Sequence, residues 1–242
     1  MKRFGLIGYP LTHSFSKKYF EEKFLREGIT GCSYDLFPLK SIEELSALRR
    51  LPGLCGLNVT IPYKKEVLRF LDDKRELPLG LQACNCIRIR DGRMEGFNTD
   101  WIGFRNSIAP LLQPHHTKAL VLGSGGAAAA VNYALDSLGI PHTTVSRNPG
   151  PGALSYKQLD DHTLSEHTVI INTTPLGMSP QQAQCPPIPY EFIGRQHVLF
   201  DLVYNPEKTL FLQEGEKRGA AIRNGYEMLV LQAEENWRIW NQ

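Results

Sequence analysis

Four short stretches of the chain place hydroxyl, amide, amino and carboxylate side chains beside apolar segments. They are Ser14-Phe15-Ser16, residues 58–64 (NVTIPYK), Asn85, and Asn98-Thr99-Asp100. Hydroxyl and amide groups suit a small polyhydroxylated ligand, and a lysine suits a carboxylate or an oxygen that gains negative charge. Each residue alone is equally well explained as a helix cap, a turn former or a surface charge. Together the stretches favour a polar binding site, and because no His/Cys set accompanies them we expect no metal.

A glycine-rich turn is the second feature that could do chemistry. Residues 120–122 (LVL) have the pattern of a buried strand and are followed by residues 123–127 (GSGGA) and a run of alanines that favours a helix. In a dinucleotide site Gly123 would allow the tight turn, and Gly125 would let the backbone approach a pyrophosphate. Gly126 and the alanines after it would bring the helix against the strand, and the helix N-terminus would offer N–H groups to the phosphates. The alternative is a turn whose glycines serve close packing alone.

The next predicted strand ends in Ser146-Arg147-Asn148, where the ribose of a dinucleotide would lie. Sites for NAD usually have Asp or Glu about 20 residues beyond the glycines, because a carboxylate accepts hydrogen bonds from the ribose hydroxyls. The Arg147 guanidinium can instead pair with a 2′-phosphate, which a carboxylate would repel. We therefore predict NADP(H) over NAD(H). A solvated arginine at the end of a strand is the alternative.

Length and composition limit the class of protein. The chain has 242 residues, of which 42% are apolar, and a net charge of +2. These values exclude a disordered chain and give no overall positive field for nucleic acid. No run approaches the roughly 18 apolar residues of a membrane helix, and the first residues lack the apolar run of a signal peptide. Five cysteines without a C-x-x-C pair indicate reduced thiols, so we expect a cytoplasmic protein. From the low net charge and the lack of a membrane helix we expect neither a nucleic-acid nor a membrane partner.

Alternating strand-like and helix-like segments must position these residues. The pattern predicts an α/β chain with parallel β-α units, a hairpin at Asp91-Gly92 and a domain boundary near residues 99–112. Ser41 and Glu44 form a capping box that predicts the start of a helix. Because the carboxyl ends of parallel strands share one edge of a sheet, polar side chains at those ends should converge on a crevice. The first half is predicted to contain strands 4–8, 31–39, 54–59, 84–90 and 93–97 and helices 16–26 and 63–71, and a second series begins at Lys118.

Eight blocks of the sequence resemble the signature blocks of the shikimate dehydrogenase family, in the family's order and over essentially the whole chain. N-V-T-x-P-x-K and N-T-T-P-L-G-M are highly specific in combination. The blocks are residues 8–16 (GYPLTHSFS), 58–64 (NVTIPYK), 98–100 (NTD), 123–127 (GSGGA), 146–148 (SRN), 172–178 (NTTPLGM), 201–206 (DLVYNP) and 228–233 (MLVLQA).

The resemblance implies an oxidoreductase that reversibly reduces 3-dehydroshikimate to shikimate with NADPH, in the biosynthesis of chorismate and aromatic amino acids. It implies an α/β fold with a substrate domain over residues 1–100 and 229–242 and a doubly wound, Rossmann-like NADP domain over 101–228. The C-terminal helix would return to the first domain. Reduction of a ketone builds negative charge on its oxygen, which a protonated Lys64 can stabilise while it supplies or relays a proton. Asp100 would orient Lys64 and complete the catalytic pair.

The family's remaining site residues can be carried over by position. Those that would bind substrate are Ser14, Ser16, Asn58, Thr60, Asn85, Asp100, Tyr204 and Gln232. Those that would bind cofactor are Gly123, Ser124, Gly125, Gly126, Ala127, Ser146, Arg147, Asn172, Thr173, Thr174, Pro175, Leu202, Gly225 and Met228.

Departures from the family pattern bear on ligand binding at three places. Cys86 stands where the family commonly has Thr, which puts residue 86 in doubt as a substrate ligand. Glu227 stands where a glycine commonly approaches the nicotinamide. After Asn148 the usual Thr and the basic residue that follows it are absent, so binding of the 2′-phosphate would rest on Arg147 alone and the preference for NADP would be weaker.

Two alternatives to an NADP-dependent shikimate dehydrogenase stay open. One is a quinate/shikimate dehydrogenase of broader specificity, and the other is a non-catalytic NADP-binding regulator with the same fold. The pair Ser14 and Ser16 favours shikimate over quinate. Retention of both Lys64 and Asp100 argues against a regulator, because binding alone does not need the pair. The sequence leaves open whether Lys64 is a general acid or an electrostatic clamp, and whether the protein is a monomer or a homodimer.

Overall fold

The computed structural model describes residues 1–11 and 14–242. The chain divides into two units, of which unit 1 comprises Met1–Thr99 with Gln232–Gln242 and unit 2 comprises Asp100–Leu231. The sequence placed these boundaries after residue 100 and before residue 229. No helix in the described part of the chain is both long enough and apolar enough to cross a bilayer.

Unit 1 is built on a mixed sheet of five strands. Its elements are β1 (Lys2–Gly8), α1 (Phe15–Arg26), β2 (Cys32–Pro38), α2 (Leu45–Leu48), β3 (Leu54–Val59), β4 (Cys86–Arg90) and β5 (Arg93–Phe97). The strand order is β2-β1-β3-β4-β5, in which β1 pairs in parallel with β2 and β3 and the other pairs are antiparallel. The hairpin is confirmed: Asp91 and Gly92 have φ of 50° and 75°, as its tight turn requires. The capping box of Ser41 and Glu44 is also confirmed and starts a 3-10 turn that leads into α2.

The segment after β3 does not form the α-helix predicted over residues 63–71. It contains turns and a 3-10 helix over Glu66–Phe70. In an α-helix the Lys64 carbonyl would accept a hydrogen bond from the Leu68 N–H. It accepts instead from the Cys84 N–H at 2.8 Å, and the Leu68 N–H donates to the Lys65 carbonyl at 3.2 Å. A distant segment therefore takes the acceptor that the helix would have used.

Unit 2 contains a parallel sheet of six strands with helices on both sides. Its elements are α3 (Asp100–Ile108), β6 (Ala119–Leu122), α4 (Gly126–Ser137), β7 (His142–Ser146), β8 (Leu154–Ser155), α5 (Asp161–Glu166), β9 (Val169–Asn172), β10 (Val198–Asp201), α6 (Leu210–Glu216), β11 (Ala221–Arg223) and the start of α7 (Tyr226–Asn241). From Gln232 onward α7 belongs to unit 1. The order β11-β10-β9-β6-β7-β8 changes direction between β6 and β9. The predicted α/β class with a doubly wound sheet is thereby confirmed. Such sheets bind ligands outside the carboxyl ends of the strands where the order reverses.

The central strands β6, β9 and β10 of unit 2 are fully buried and almost continuously apolar, because both faces of the sheet are covered there. Val121 and Ile171 belong to one buried cluster together with Val131 of α4. Leu122 and Ile170, which point to the other face, belong to a second buried cluster. The alternation of two apolar clusters along β6 and β9 fixes the register that brings the ends of these strands to one edge.

The last residues of α7 pack on the sheet of unit 1, as predicted for the C-terminal helix. Trp240 stacks on Phe4, with ring centroids 4.9 Å apart and an angle of 23° between the planes. Its indole N–H donates a hydrogen bond of 3.0 Å to the Ile87 carbonyl. Gly56 leaves room for the ring, since a Cβ at that position would overlap the indole. Aromatic packing and one hydrogen bond thus attach the end of α7 to β1, β3 and β4.

We expect Trp240→Ala to lower the free energy of unfolding by about 3–5 kcal/mol, because it empties a buried aromatic site. Gly56→Ala should lower it by about 1–3 kcal/mol through overpacking. Gly150→Ala is the control, since a Cβ there meets nothing within 4 Å, and it should stay within about 0.5 kcal/mol of the unchanged protein. Urea unfolding followed by circular dichroism measures all three. Equal stability of the two glycine variants would contradict the packing of Trp240 on Gly56.

Candidate active site

The polar stretches of unit 1 lie at one edge of its sheet. β1 and β3 both end at this edge, the antiparallel β4 begins there, and β5 ends there. Thr60 therefore follows β3, Asn85 precedes β4 and Asn98 follows β5 at the same edge. The topology brings together residues that are far apart in the sequence.

Asn58 is held in place by a tyrosine that the sequence analysis missed. The Tyr34 hydroxyl donates to Asn58 Oδ1 at 2.7 Å, and Asn58 Nδ2 donates to the Asn85 carbonyl at 3.3 Å. Burial raises the pKa of the Tyr34 hydroxyl, and a hydrogen bond with the Ser16 side chain acts in the opposite direction. Tyr34 thus fixes the Asn58 side chain on β3. The only signal in the sequence was its inward position in the alternating strand β2.

Asn85 and Gln232 share a buried network with two residues that the sequence did not single out as ligands. The Thr99 N–H donates to Asn85 Oδ1 at 2.7 Å, and Asn85 Nδ2 contacts Thr99 Oγ1 at 3.0 Å. Thr99 Oγ1 donates to Asn236 Oδ1 at 2.7 Å, and Asn236 Nδ2 donates to Gln232 Oε1 at 3.1 Å. The spacing of four residues between Gln232 and Asn236, which places them on one face of a helix, was the available signal.

Ser14, Thr60 and Lys64 lie on the segments that follow β1 and β3. The Ser14 hydroxyl caps α1 by accepting the Lys17 N–H at 3.2 Å, so the explanation as a helix cap is correct. The Thr60 N–H donates to the Ile7 carbonyl at 2.9 Å, which joins the two segments. The Ser14, Thr60 and Lys64 side chains are all half-buried. Thr12 and His13, which complete the first family block, lie outside the described residues.

Asp100 and Tyr204 belong to unit 2. Asp100 is the first residue of α3, and Tyr204 follows β10. Tyr204 is 36% exposed, and partial burial raises the pKa of its hydroxyl. Both residues therefore stand at element ends in unit 2, whereas Lys64 stands in unit 1.

The glycine turn between β6 and α4 has the backbone that a phosphate site needs. Gly123 has φ of 117°, and a Cβ there would lie 2.6 Å from Thr173 Oγ1, whose hydroxyl donates to the Leu122 carbonyl at 2.7 Å. Around Gly125 and Gly126, by contrast, a Cβ would meet nothing within 4 Å. The N-terminus of the 12-residue helix α4 therefore opens into space, with N–H groups that an anion can use. The turn fits the pyrophosphate of a dinucleotide.

One role assigned to the glycine motif is wrong. Gly126 and Ala127 were expected to bring helix and strand together, but both are exposed, as is Ser124 in the turn. The same prediction is confirmed for Ala128, which is 2% exposed and belongs to one buried cluster with Val121 of β6. The first two residues of α4 face away from the sheet, and the residues that pack on the sheet come later in the helix.

Asn172, at the end of β9, shapes the loop that carries Thr173, Thr174 and Pro175. Its Nδ2 donates to Asp201 Oδ1 at 2.9 Å, and its Oδ1 accepts the Thr174 N–H at 3.0 Å and the Thr174 hydroxyl at 2.6 Å. Asp201 also accepts from the Thr209 hydroxyl at 2.5 Å. Burial raises the pKa of the Asp201 carboxyl to about 6, against the opposite effect of these hydrogen bonds. A buried carboxylate thus holds the loop next to the glycine turn.

Ser146 and Arg147 lie at the carboxyl end of β7. Ser146 is 8% exposed and pairs with Ser155 of β8, whereas Arg147 is exposed. Burial raises the pKa of Tyr156, the next residue after β8, and the charge of Arg147 lowers it. Because Ser146 pairs with Ser155 in parallel strands, Arg147 and Tyr156, which follow them, lie at the same edge, where a ribose would bind.

The remaining cofactor candidates are Leu202, Gly225 and Met228. A Cβ at Gly225 would overlap the Leu202 carbonyl, so only glycine permits this approach. Met228 is buried in the core of unit 2. Glu227, the departure from the family pattern, forms an ion pair with Arg223 of β11.

The Cys86 thiol is fully buried, and burial raises its pKa well above the usual value. A neutral thiol therefore stands at the position that was in doubt as a ligand. All five cysteines are free. Across residues 1–11 and 14–242, no three His, Cys, Asp or Glu side chains are grouped so that they could hold a metal ion.

Comparison with known proteins matches both units. The family model described as the shikimate dehydrogenase substrate binding domain matches residues 6–87. A shikimate dehydrogenase (NADP(+)) from Caldicellulosiruptor bescii is 35% identical over 259 residues, covering 99% of this chain and 89% of its own length. The crystal structure of shikimate 5-dehydrogenase from Thermus thermophilus, in complex with NADP(H) and shikimate, is 29% identical with a TM-score of 0.87, and the match covers 99% of this chain and 93% of that one.

A quinate dehydrogenase from Corynebacterium glutamicum in complex with NAD has a TM-score of 0.88 at 24% identity, over 99% of this chain and 93% of that one. At this identity the likeness concerns the fold alone. The match of more than 30% identity over nearly the whole chain is what assigns the family. This chain belongs to the shikimate dehydrogenase family.

Proposed function

We propose that the protein is an NADP-dependent shikimate dehydrogenase that reversibly reduces 3-dehydroshikimate to shikimate. The observation that carries the proposal is the 35% identity to a shikimate dehydrogenase (NADP(+)) over 99% of the chain, which includes both units. The polar edge of unit 1 and the phosphate-compatible turn of unit 2 agree with it. We assign the substrate to unit 1 and the cofactor to unit 2. The cytoplasmic location and the monomeric or homodimeric state stay predictions.

The substrate would bind to the polar edge of unit 1. Asn58, held by Tyr34, and Gln232, held by Asn236, present carboxamides of defined orientation. Such preorganised polar groups discriminate among hydroxylated ligands, because a ligand that lacks one partner leaves a buried group unpaired. The hydroxyls of Ser14, Ser16, Thr60 and Tyr204 and the side chain of Asn85 complete the proposed set.

Lys64 and Asp100 are the proposed catalytic pair. The ammonium group of Lys64 would stabilise negative charge that develops on the carbonyl oxygen and would supply or relay a proton to it. The half-buried position of Lys64 strengthens this effect, because the charge is less screened than at the surface. Asp100 would orient the ammonium group.

The cofactor would bind at the carboxyl edge of the sheet in unit 2, between β6 and β9. The N–H groups at the start of α4 would hold the pyrophosphate, and Ser146 and Arg147 would hold the ribose phosphate. The loop that Asn172 shapes and the close pair Leu202 and Gly225 would form the rest of the site. When bound, NADPH supplies the hydride.

The purified protein should reduce NADP⁺ in the presence of shikimate and more slowly, if at all, with quinate. Three parallel assays, with shikimate, quinate and no acid, followed at the absorbance of NADPH, measure this. Comparable rates with both acids would favour the enzyme of broader specificity. Absence of turnover with either acid would favour the non-catalytic regulator.

We expect Lys64→Ala to lower kcat by about 10²–10⁴-fold, because the developing charge on oxygen loses its stabilising cation and proton donor. The dissociation constant for NADPH, measured by fluorescence titration, should not change. Lys65→Ala is the matched control, since Lys65 is the exposed neighbour of Lys64. Near-normal turnover by Lys64→Ala would remove this residue from the mechanism.

Arg147→Ala should reduce the ratio of kcat/KM for NADP⁺ to kcat/KM for NAD⁺ by about tenfold to hundredfold, because it removes a charged hydrogen bond to the 2′-phosphate. Arg195→Ala is the control. Arg195 is also an exposed arginine of unit 2, but it precedes β10 and so lies at the opposite edge of the parallel sheet. An unchanged cofactor ratio in Arg147→Ala would refute the assignment.

A further inference from the structure

The orientation of the Gln232 carboxamide follows from a chain of hydrogen bonds that starts at the backbone. The Thr99 N–H lies 2.7 Å from one end of the Asn85 amide. Because a backbone N–H can only donate, that end of Asn85 is the oxygen. The other end is the NH₂ group, and it contacts Thr99 Oγ1 at 3.0 Å as a donor.

The Thr99 hydroxyl links the amide of Asn85 to the amide of Asn236 and determines which end of Asn236 faces it. This oxygen accepts from Asn85, so its own proton is available to a different acceptor. It lies 2.7 Å from Asn236 and 3.2 Å from Asn85 Oδ1. A separation of 2.7 Å is typical of O–H···O and short for N–H···O, so the atom of Asn236 that faces Thr99 is its oxygen.

The chain ends at Gln232. Since the oxygen of Asn236 faces Thr99, its NH₂ group faces Gln232 and donates to Oε1 at 3.1 Å. Asn85 Nδ2 approaches the same oxygen at 3.5 Å. Two donors therefore meet one end of the Gln232 carboxamide and identify it as the oxygen.

The surroundings of this network make the orientation hard to reverse. Thr99 and Asn236 are 0% exposed, Asn85 is 3% and Gln232 is 7% exposed. If the Gln232 amide turned over, its NH₂ group would face the NH₂ group of Asn236, and the Asn236 donor would lose its acceptor in a buried setting. A buried polar group without a partner is costly, so one orientation dominates.

We propose that Asn236 is a positioning residue that holds the Gln232 carboxamide with its NH₂ group as the substrate-binding end. This part of the site then selects a substrate oxygen that accepts a hydrogen bond, such as a carboxylate, a ketone or the lone pair of a hydroxyl. Asn236 acts through Gln232. The inference rests on the proposed function, in which Gln232 binds shikimate.

The test is Asn236→Asp, which keeps the shape of the side chain and its acceptor for Thr99 but replaces the donor to Gln232 with an acceptor. The Gln232 amide should then turn over and lose its donor toward the substrate. We expect the Kd for shikimate, measured by calorimetry on the cofactor-free protein, to rise by about tenfold or more. The KM for shikimate should rise by a larger factor than kcat falls. If this variant does not fold, Asn236→Ala removes the same donor with no buried charge and is expected to give the same direction of change.

Two comparisons separate positioning from a purely structural role. Asn241→Asp introduces the same change at an exposed position of the same helix and should leave the Kd unchanged. In a Gln232→Ala background, the Asn236 substitution should weaken shikimate binding no further. An equal loss in both backgrounds, or full affinity in the single Asn236 variant, would overturn the role of Asn236. If the unchanged protein neither bound nor turned over shikimate, the proposed function itself would be refuted.

Discussion

A buried carboxamide needs hydrogen-bond partners inside the protein, and this requirement organises the polar edge of each unit. In unit 1, Asn85 links the start of β4 to the segment after β5, and through Thr99 and Asn236 it reaches α7. The bonds run in one direction because the first of them comes from a backbone N–H. An amide that could point either way in water is thus held in a single orientation, which is what selective recognition of a hydroxylated ligand requires.

Unit 2 meets the same requirement with a different partner. Asn172 is fully buried at the end of β9, and Asp201 at the end of the adjacent β10 accepts its N–H. Burial raises the pKa of the Asp201 carboxyl to about 6, and three donors, from Asn172, Val203 and Thr209, partly compensate its charged form for the lost water. The loop after β9 can then lie against Gly123, where the absence of a Cβ permits contact with Thr173. The hydrogen bonds of Asn172 and Asp201 and the close packing on Gly123 therefore both fix the loop after β9, at the edge where the cofactor is proposed to bind.

Local patterns in the sequence predicted most of the elements, and non-local pairing explains what they missed. The apolar runs of β1, β3 and β6 and the turn at Asp91-Gly92 need only neighbouring residues to be recognised. The helix over 63–71 failed because the Lys64 carbonyl is used by Cys84, twenty positions further along the chain. Tyr34 and Asn236 were missed as site residues for the same reason, since their partners come from other elements. Gly126 was misassigned because a motif does not tell which face of a helix its first turn presents.

At some departures from the family pattern a neighbouring residue offsets the change in charge or polarity, and at others none does. The Cys86 thiol is buried and neutral, and the Trp240 side chain of α7 interacts with it, so a thiol that contacts α7 stands in place of the hydroxyl. Glu227 has its charge matched by Arg223, four residues earlier. After Asn148, where the ribose is proposed to bind, the chain lacks the Thr and the basic residue that are common in the family. The strand β8 pairs with β7 there, so that Tyr156 and Arg147 lie at the same edge. A tyrosine can stack or donate a hydrogen bond but adds no positive charge. Under the proposed function, discrimination between the two nicotinamide cofactors at this edge would depend on the single exposed guanidinium of Arg147.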